Sequence, residues 1–96
     1  MSASSGSVAV VRCADGTIGF YRSFTSDAKG DPTPEQAVAR EVAHAAGAIA
    51  RHLKPPPKWQ VAHADNEATF RAADVSLHVI RLRSGGWIVD SGQYCR

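Results

Sequence analysis

The chain lacks most of the features that announce a function. No stretch of it approaches the roughly 18 apolar residues of a membrane-spanning helix. Its first residues, Met-Ser-Ala-Ser-Ser-Gly-Ser, have neither the basic start nor the apolar run of an export signal, so the chain as given reads as carrying no signal of its own. No three Lys or Arg residues are adjacent, and the arginines are scattered from Arg12 to Arg96. A net charge of +2 and a pI near 8.8, spread in this way, lack the clustered basic face and aromatic platforms of a nucleic-acid binder. Gly-x-Ser-x-Gly elbows, phosphate-binding glycine loops and paired-carboxylate motifs are all missing. Only two cysteines occur, Cys13 and Cys95, near opposite ends of the chain. One such pair matches no zinc or redox motif.

What remains is an ordinary globular composition. The 96 residues are 44% hydrophobic and 21% charged, which suits one small folded domain. A chain of this size buries roughly 60–70% of the surface that its unfolded form exposes. Met1–Ser7 has nothing to bury and reads as a flexible arm. Residues 8–96 read as a single α+β domain.

Val8–Cys13 reads as a strand, Asp15-Gly16 as a turn, and Thr17–Phe24 alternates as a second strand. Thr33-Pro34-Glu35-Gln36 has the form of a helix start, with a capping Thr and Pro at the first helical position. Val38, Val42, Ala46, Ile49 and Leu53 then follow at helical spacing, which predicts one long amphipathic helix ending at Lys54 before Pro55-Pro56-Pro57. The prolines read as a stiff spacer. Beyond them the chain reads as a meander: Trp59–Ala64, Ala68–Ala72, Val75–Arg83 and Trp87–Ser91, with turns at Asp65-Asn66-Glu67, Ala73-Asp74 and Ser84-Gly85-Gly86. In the third of these strands Val75, Leu77 and Val79 share one face while Ile80 and Leu82 belong to the other. That pattern predicts either cover on both faces or a bulge near Val79.

The expected fold is therefore α+β: one long amphipathic helix packed on a curved antiparallel sheet of four to six strands. The Thr33-Pro34-Glu35 helix start, the Trp59 strand after the prolines and the final Gly85-Gly86-Trp87-Ile88-Val89 hairpin resemble the cystatin-like roll and its nuclear-transport-factor-2-like relatives. The resemblance spans about residues 17–95 and is one of topology. It implies a sheet wrapping the helix, in a family of rolls that hosts inhibitors, small-molecule enzymes and interaction modules. The Gln-x-Val-x-Gly hairpin of protease-inhibiting cystatins is absent. Gln60-Val61-Ala62 comes nearest and lacks both the spacing and the glycine.

Among four histidines, His44 and His52 stand about two helical turns apart, too far to share a metal, and no metal or other cofactor is expected. His63, His78 and Asp90 are the acid–base candidates, because a catalytic His needs a carboxylate to orient it. Counting out from Gly85-Gly86, however, places Arg81 or Leu82 opposite Asp90, so an Arg81–Asp90 ion pair is the preferred reading. One helix cannot cover both faces of the sheet. The open face, with Phe20, Trp87 and Val89, is the expected surface for a protein partner or homodimer. An interaction domain is thus the leading reading, and a small-ligand pocket or minor enzyme between helix and sheet is the alternative. Free thiols at Cys13 and Cys95 would be core residues of a cytoplasmic protein. A bridge, which their placement favours, would mark a secreted or cell-envelope protein and close a loop over nearly the whole chain.

Overall fold

A computed structural model describes residues 13–96. The expected arm Met1–Ser7 and, apart from Cys13, the expected strand Val8–Cys13 lie outside the described residues. The chain runs β1 (Thr17–Tyr21), α1 (Pro34–His44), a 3₁₀ turn (Gly47–Ile49), α2 (Ala50–Leu53), β2 (Gln60–Ala64), β3 (Glu67–Arg71), β4 (Val75–Arg81) and β5 (Trp87–Cys95). The strands form one antiparallel sheet in the order β1-β5-β4-β3-β2. Thus β4 is the central strand, β5 lies between it and β1, and β2 lies at an edge.

The helix start behaves as its sequence suggests. Thr33 is extended, and its side chain accepts a hydrogen bond from the Gln36 N–H at 3.1 Å. The expected long amphipathic helix is not formed. α1 stops after 11 residues, Ala45 and Ala46 are extended, and Gly47 has φ +67°. Two short helices with a turn between them replace the single rod. The physical reason lies in the apolar stripe, which weakens to Ala46 beside Gly47 and offers little burial to hold a helix through that point. The break also pays structurally: α2 turns back so that Leu53 is fully buried, while Ala46 is exposed. Lys54 Nζ donates to the Ala45 carbonyl at 3.1 Å, satisfying a group that helix termination leaves open.

The core lies between α1 and one face of the sheet. Ala37, Val38 and Val42 from α1, with Ala45 and Leu53, pack on Ala68, Phe70, Val75, Leu77, Val79 and Val89. The segment after β1 is tied to this core by backbone. Asp31 and Trp87 exchange two hydrogen bonds, at 2.8 and 2.7 Å, and a side chain on Gly30 would run into the Trp87 backbone. Arg40 then grips the Asp31 carboxylate through both Nε and an outer nitrogen, and Arg22 pairs with Glu41 in the same two-pronged way. Cys13 and Cys95 form a disulfide across 82 residues of sequence. His52 on α2 contacts the Cys95 carbonyl at 2.9 Å, next to this bridge.

Two outcomes are expected from stability measurements. Leu53→Ala costs about 2–5 kcal/mol as a large-to-small core change, whereas Ala46→Ser stays within about 0.5 kcal/mol as a surface change; chemical denaturation of both variants checks this, and equal costs would restore the continuous stripe. Replacing both cysteines by alanine lowers unfolding free energy by about 4 kcal/mol on the chain-entropy account, read from denaturation midpoints against the oxidised parent.

Candidate functional site

The ladder between β4 and β5 slips by one residue. It runs from Val75 opposite Tyr94 to His78 opposite Ser91, then resumes with Val79 opposite Val89. Asp90 is the extra residue of this bulge and has no partner on β4. Its carbonyl accepts instead from the Arg22 N–H at 2.8 Å. The Asp90 carboxylate meets His78, whose Nδ1 lies 2.7 Å from Asp90 Oδ1. The other ring nitrogen, Nε2, lies 3.1 Å from Glu67 Oε1 on β3. Ser91 Oγ donates to the same Asp90 oxygen at 3.2 Å. No Arg81–Asp90 pair forms: the hairpin register sets Arg81 opposite Trp87 and Val79 opposite Val89, so Asp90 falls beside His78, on the other face of the sheet from Arg81.

This cluster is a clamp across three strands. A neutral imidazole has one donor and one acceptor, so facing two carboxylates leaves a lone pair against an anion; the imidazolium offers a proton to each. Burial by itself pushes the His78 pKa down, but hydrogen bonds to Glu67 and Asp90, and the charges on both, outweigh it and the net displacement is upward. With both nitrogens engaged, neither has a lone pair turned to solvent or substrate, which a general base requires.

His63 does not join the cluster. It stands opposite Ala68 on β2, on the helix side of the sheet, while His78 and Asp90 are on the other side. Its Nε2 is 3.6 Å from Glu35 Oε2, and both side chains are more than half exposed, so the pair is worth little. The expected binding surface of Phe20, Trp87 and Val89 needs correction as well. Val89 is buried in the core, and Phe20 and Trp87 are partly buried against it. All three face the helix. The other face instead carries Thr69, His78, Ser91, Glu67 and Arg71, with Ile80, Ile88 and Tyr21 as its apolar members, and Ser76 on it is fully buried. The three side chains were assigned to one face, and they do share one; the alternation could not say which face the helix takes.

The apolar concavity lies elsewhere. α1 packs over β4 and β5, and on the β3 side the helix-side residues Ala68 and Phe70 are buried while all of β2 is exposed. There, α1 and the sheet bound a half-open groove of about 550 Å³. Its wall is α1, through Val38, Ala39, Val42 and Ala43, and its floor is Phe70 with Trp59 and Pro56. Trp59 meets Phe70 edge to face, with ring centroids 6.1 Å apart and planes at 83°, which fixes the aromatic corner. The polar lining consists of Glu35 and Lys54. These groove residues were missed in the sequence, although exposed Ala39 and Ala43 beside the Val38–Val42 stripe were a signal that the apolar surface of α1 exceeds what the core uses.

A second cleft, of about 330 Å³, lies where Arg22, Asp31, Arg40, Glu41 and His44 meet. Its arginines and carboxylates are already paired with one another, which leaves them little charge to offer a ligand. Among the described residues no group of three or more His, Cys, Asp or Glu side chains is placed to hold a metal ion, and no helix is long and apolar enough to cross a membrane. Comparison with known proteins gave no match: no family model, no curated sequence and no solved structure matches this chain.

Because the folded His78 pKa is raised, the clamp contributes its full stabilisation below the unfolded value of about 6.5 and loses it as pH rises through the folded value. Thermal melts across neutral pH check this: the unfolding temperature of the parent falls relative to His78→Phe as pH rises from about 6 to 8. A difference between the two proteins that stays flat over that window would remove the charged clamp.

Proposed function

We propose that this chain is a non-catalytic binding domain of an oxidising compartment, and that the groove between α1, Trp59 and Phe70 takes a small apolar ligand. The observation that carries the reading is the groove itself. Its volume of about 550 Å³ lies within the range of roughly 300–1,000 Å³ typical of small-molecule sites, which are mostly apolar with a few polar groups to orient the guest. Glu35 and Lys54 are those groups here, and the fixed Trp59–Phe70 corner favours a flat or ring-containing ligand. The Cys13–Cys95 bridge is compatible with an extracellular location and supports export, since such bonds persist outside the reducing cytosol. The state of His78 favours binding over acid–base chemistry, because its ring nitrogens are both spent on carboxylates of the fold.

An anilinonaphthalene sulfonate probe tests the reading through energy transfer from tryptophan. The parent is expected to bind it with micromolar affinity. Ala39→Trp, which fills the groove from an exposed helix position, is expected to weaken binding at least tenfold, or about 1.4 kcal/mol, with an unchanged melting temperature. Equal binding by parent and variant would put the probe elsewhere and overturn the assignment.

A further inference from the structure

We propose that β2 is a self-association edge: two copies of this chain pair β2 to β2, antiparallel, about a two-fold axis at Ala62. The inference is independent of what the groove binds. β2 is the terminal strand of the sheet, and all five of its residues are exposed. Alternate residues of an antiparallel strand turn their N–H and C=O groups to one side, so β3 takes one set and the other set faces outward. Folded proteins usually blunt such an edge with charges, proline or a bulge. Gln60-Val61-Ala62-His63-Ala64 contains no Lys, Arg, Asp, Glu or Pro, and its register with β3 is unbroken.

The flanking charges select the partner. With the axis at Ala62, Gln60 of one copy lies opposite Ala64 of the other, Val61 lies opposite His63, and Ala62 faces itself. No like charges oppose each other along the strand. Two steps further out, Lys58 of each copy stands at the Asp65-Asn66 turn of the other. Lys58 and Asp65 are exposed, and neither has an ion-pair partner among the described residues. The symmetry makes this complementary contact twice, and a closed two-fold pairing uses both edges at once. Val61, among the few large apolar side chains left exposed, is covered in the process. The result is one continuous sheet of two copies, with the two apolar grooves lying on the same face on either side of the axis.

Sedimentation velocity of the oxidised chain over a concentration series tests the proposal. The parent is expected to move from 10.2 kDa monomer toward twice that mass as concentration rises, with dissociation in the micromolar to submillimolar range expected of so short a ladder. Ala62→Asp sets two like charges against each other on the axis and is expected to weaken the dimer at least tenfold. Ala62→Lys does so with the opposite sign. Lys58→Asp weakens it too, and adding Asp65→Lys to Lys58→Asp restores it, while circular dichroism shows each variant folded as the parent. A parent that remains monomeric at every concentration overturns the proposal. So does a dimer unmoved by either Ala62 substitution, or a charge exchange that fails to restore what Lys58→Asp removed.

Discussion

An α-helix with its side chains is about 10 Å across, and neighbouring strands are about 4.8 Å apart, so one helix hides about two strands. This sheet has five. The mismatch governs the rest of the molecule. α1 sits over β4 and β5, and the core concentrates there in Leu77, Val79 and Val89. β1 on one side is assisted by Phe20 and by the chain from Arg22 to Asp31, which two arginine–carboxylate pairs strap against α1. On the other side nothing comparable is supplied. Phe70 is buried beside Trp59 at the groove, and all of β2 is exposed. Groove and bare edge are therefore two results of one shortfall in cover.

The opposite face of the sheet follows a different rule. Among the described residues no helix covers it; around His78 its polar side chains bond to one another, while the Ser76 Oγ and Gln93 Oε1 on the same face are buried without a hydrogen-bond partner. A histidine between two carboxylates in the middle of a sheet holds β3, β4 and β5 together by charge where an apolar face would use packing. Asp90, at the bulge, places its carboxylate 2.7 Å from the ring. The same insertion changes the parity of β5, so that Trp87 and Val89 before it and Gly92 and Tyr94 after it all turn toward the core.

Local chemistry was legible in the sequence, and decisions made between distant elements were not. The Thr33 cap, the Asp65-Asn66 turn and the hairpin around Gly85-Gly86 depend on residues within a few positions of one another, and each appears where those residues stand. The conflict of faces in β4, between Val79 and Ile80, pointed either to cover on both faces or to a slip near Val79; the register shifts between His78 and Val79, and Ser76 on the other face is buried as well. It could not name Asp90 as the inserted residue, because the bulge is on the other strand. The helix break failed to show because an alanine-rich segment has high helix propensity on both sides of Gly47. The break lets Leu53 join the core with residues of α1 and the sheet, a long-range contact that no window of local sequence contains. Phe20, Trp87 and Val89 were grouped correctly and turned the wrong way for a similar reason. The groove was invisible because it is defined by where the helix stops.

The Cys13–Cys95 bond joins the start of β1's approach to the last residue of β5, with Thr17 opposite Cys95 in the ladder. Everything between the two sulfurs is therefore a closed covalent ring. Tension applied to the backbone on either side of the pair passes through the sulfur–sulfur bond and leaves the ladders unloaded. A single peptide cleavage inside the ring opens it without releasing a fragment. For a domain with one thin core and an uncovered edge, mechanical load and proteolysis are thus met by covalent topology, which asks nothing of the packing that the short helix leaves incomplete.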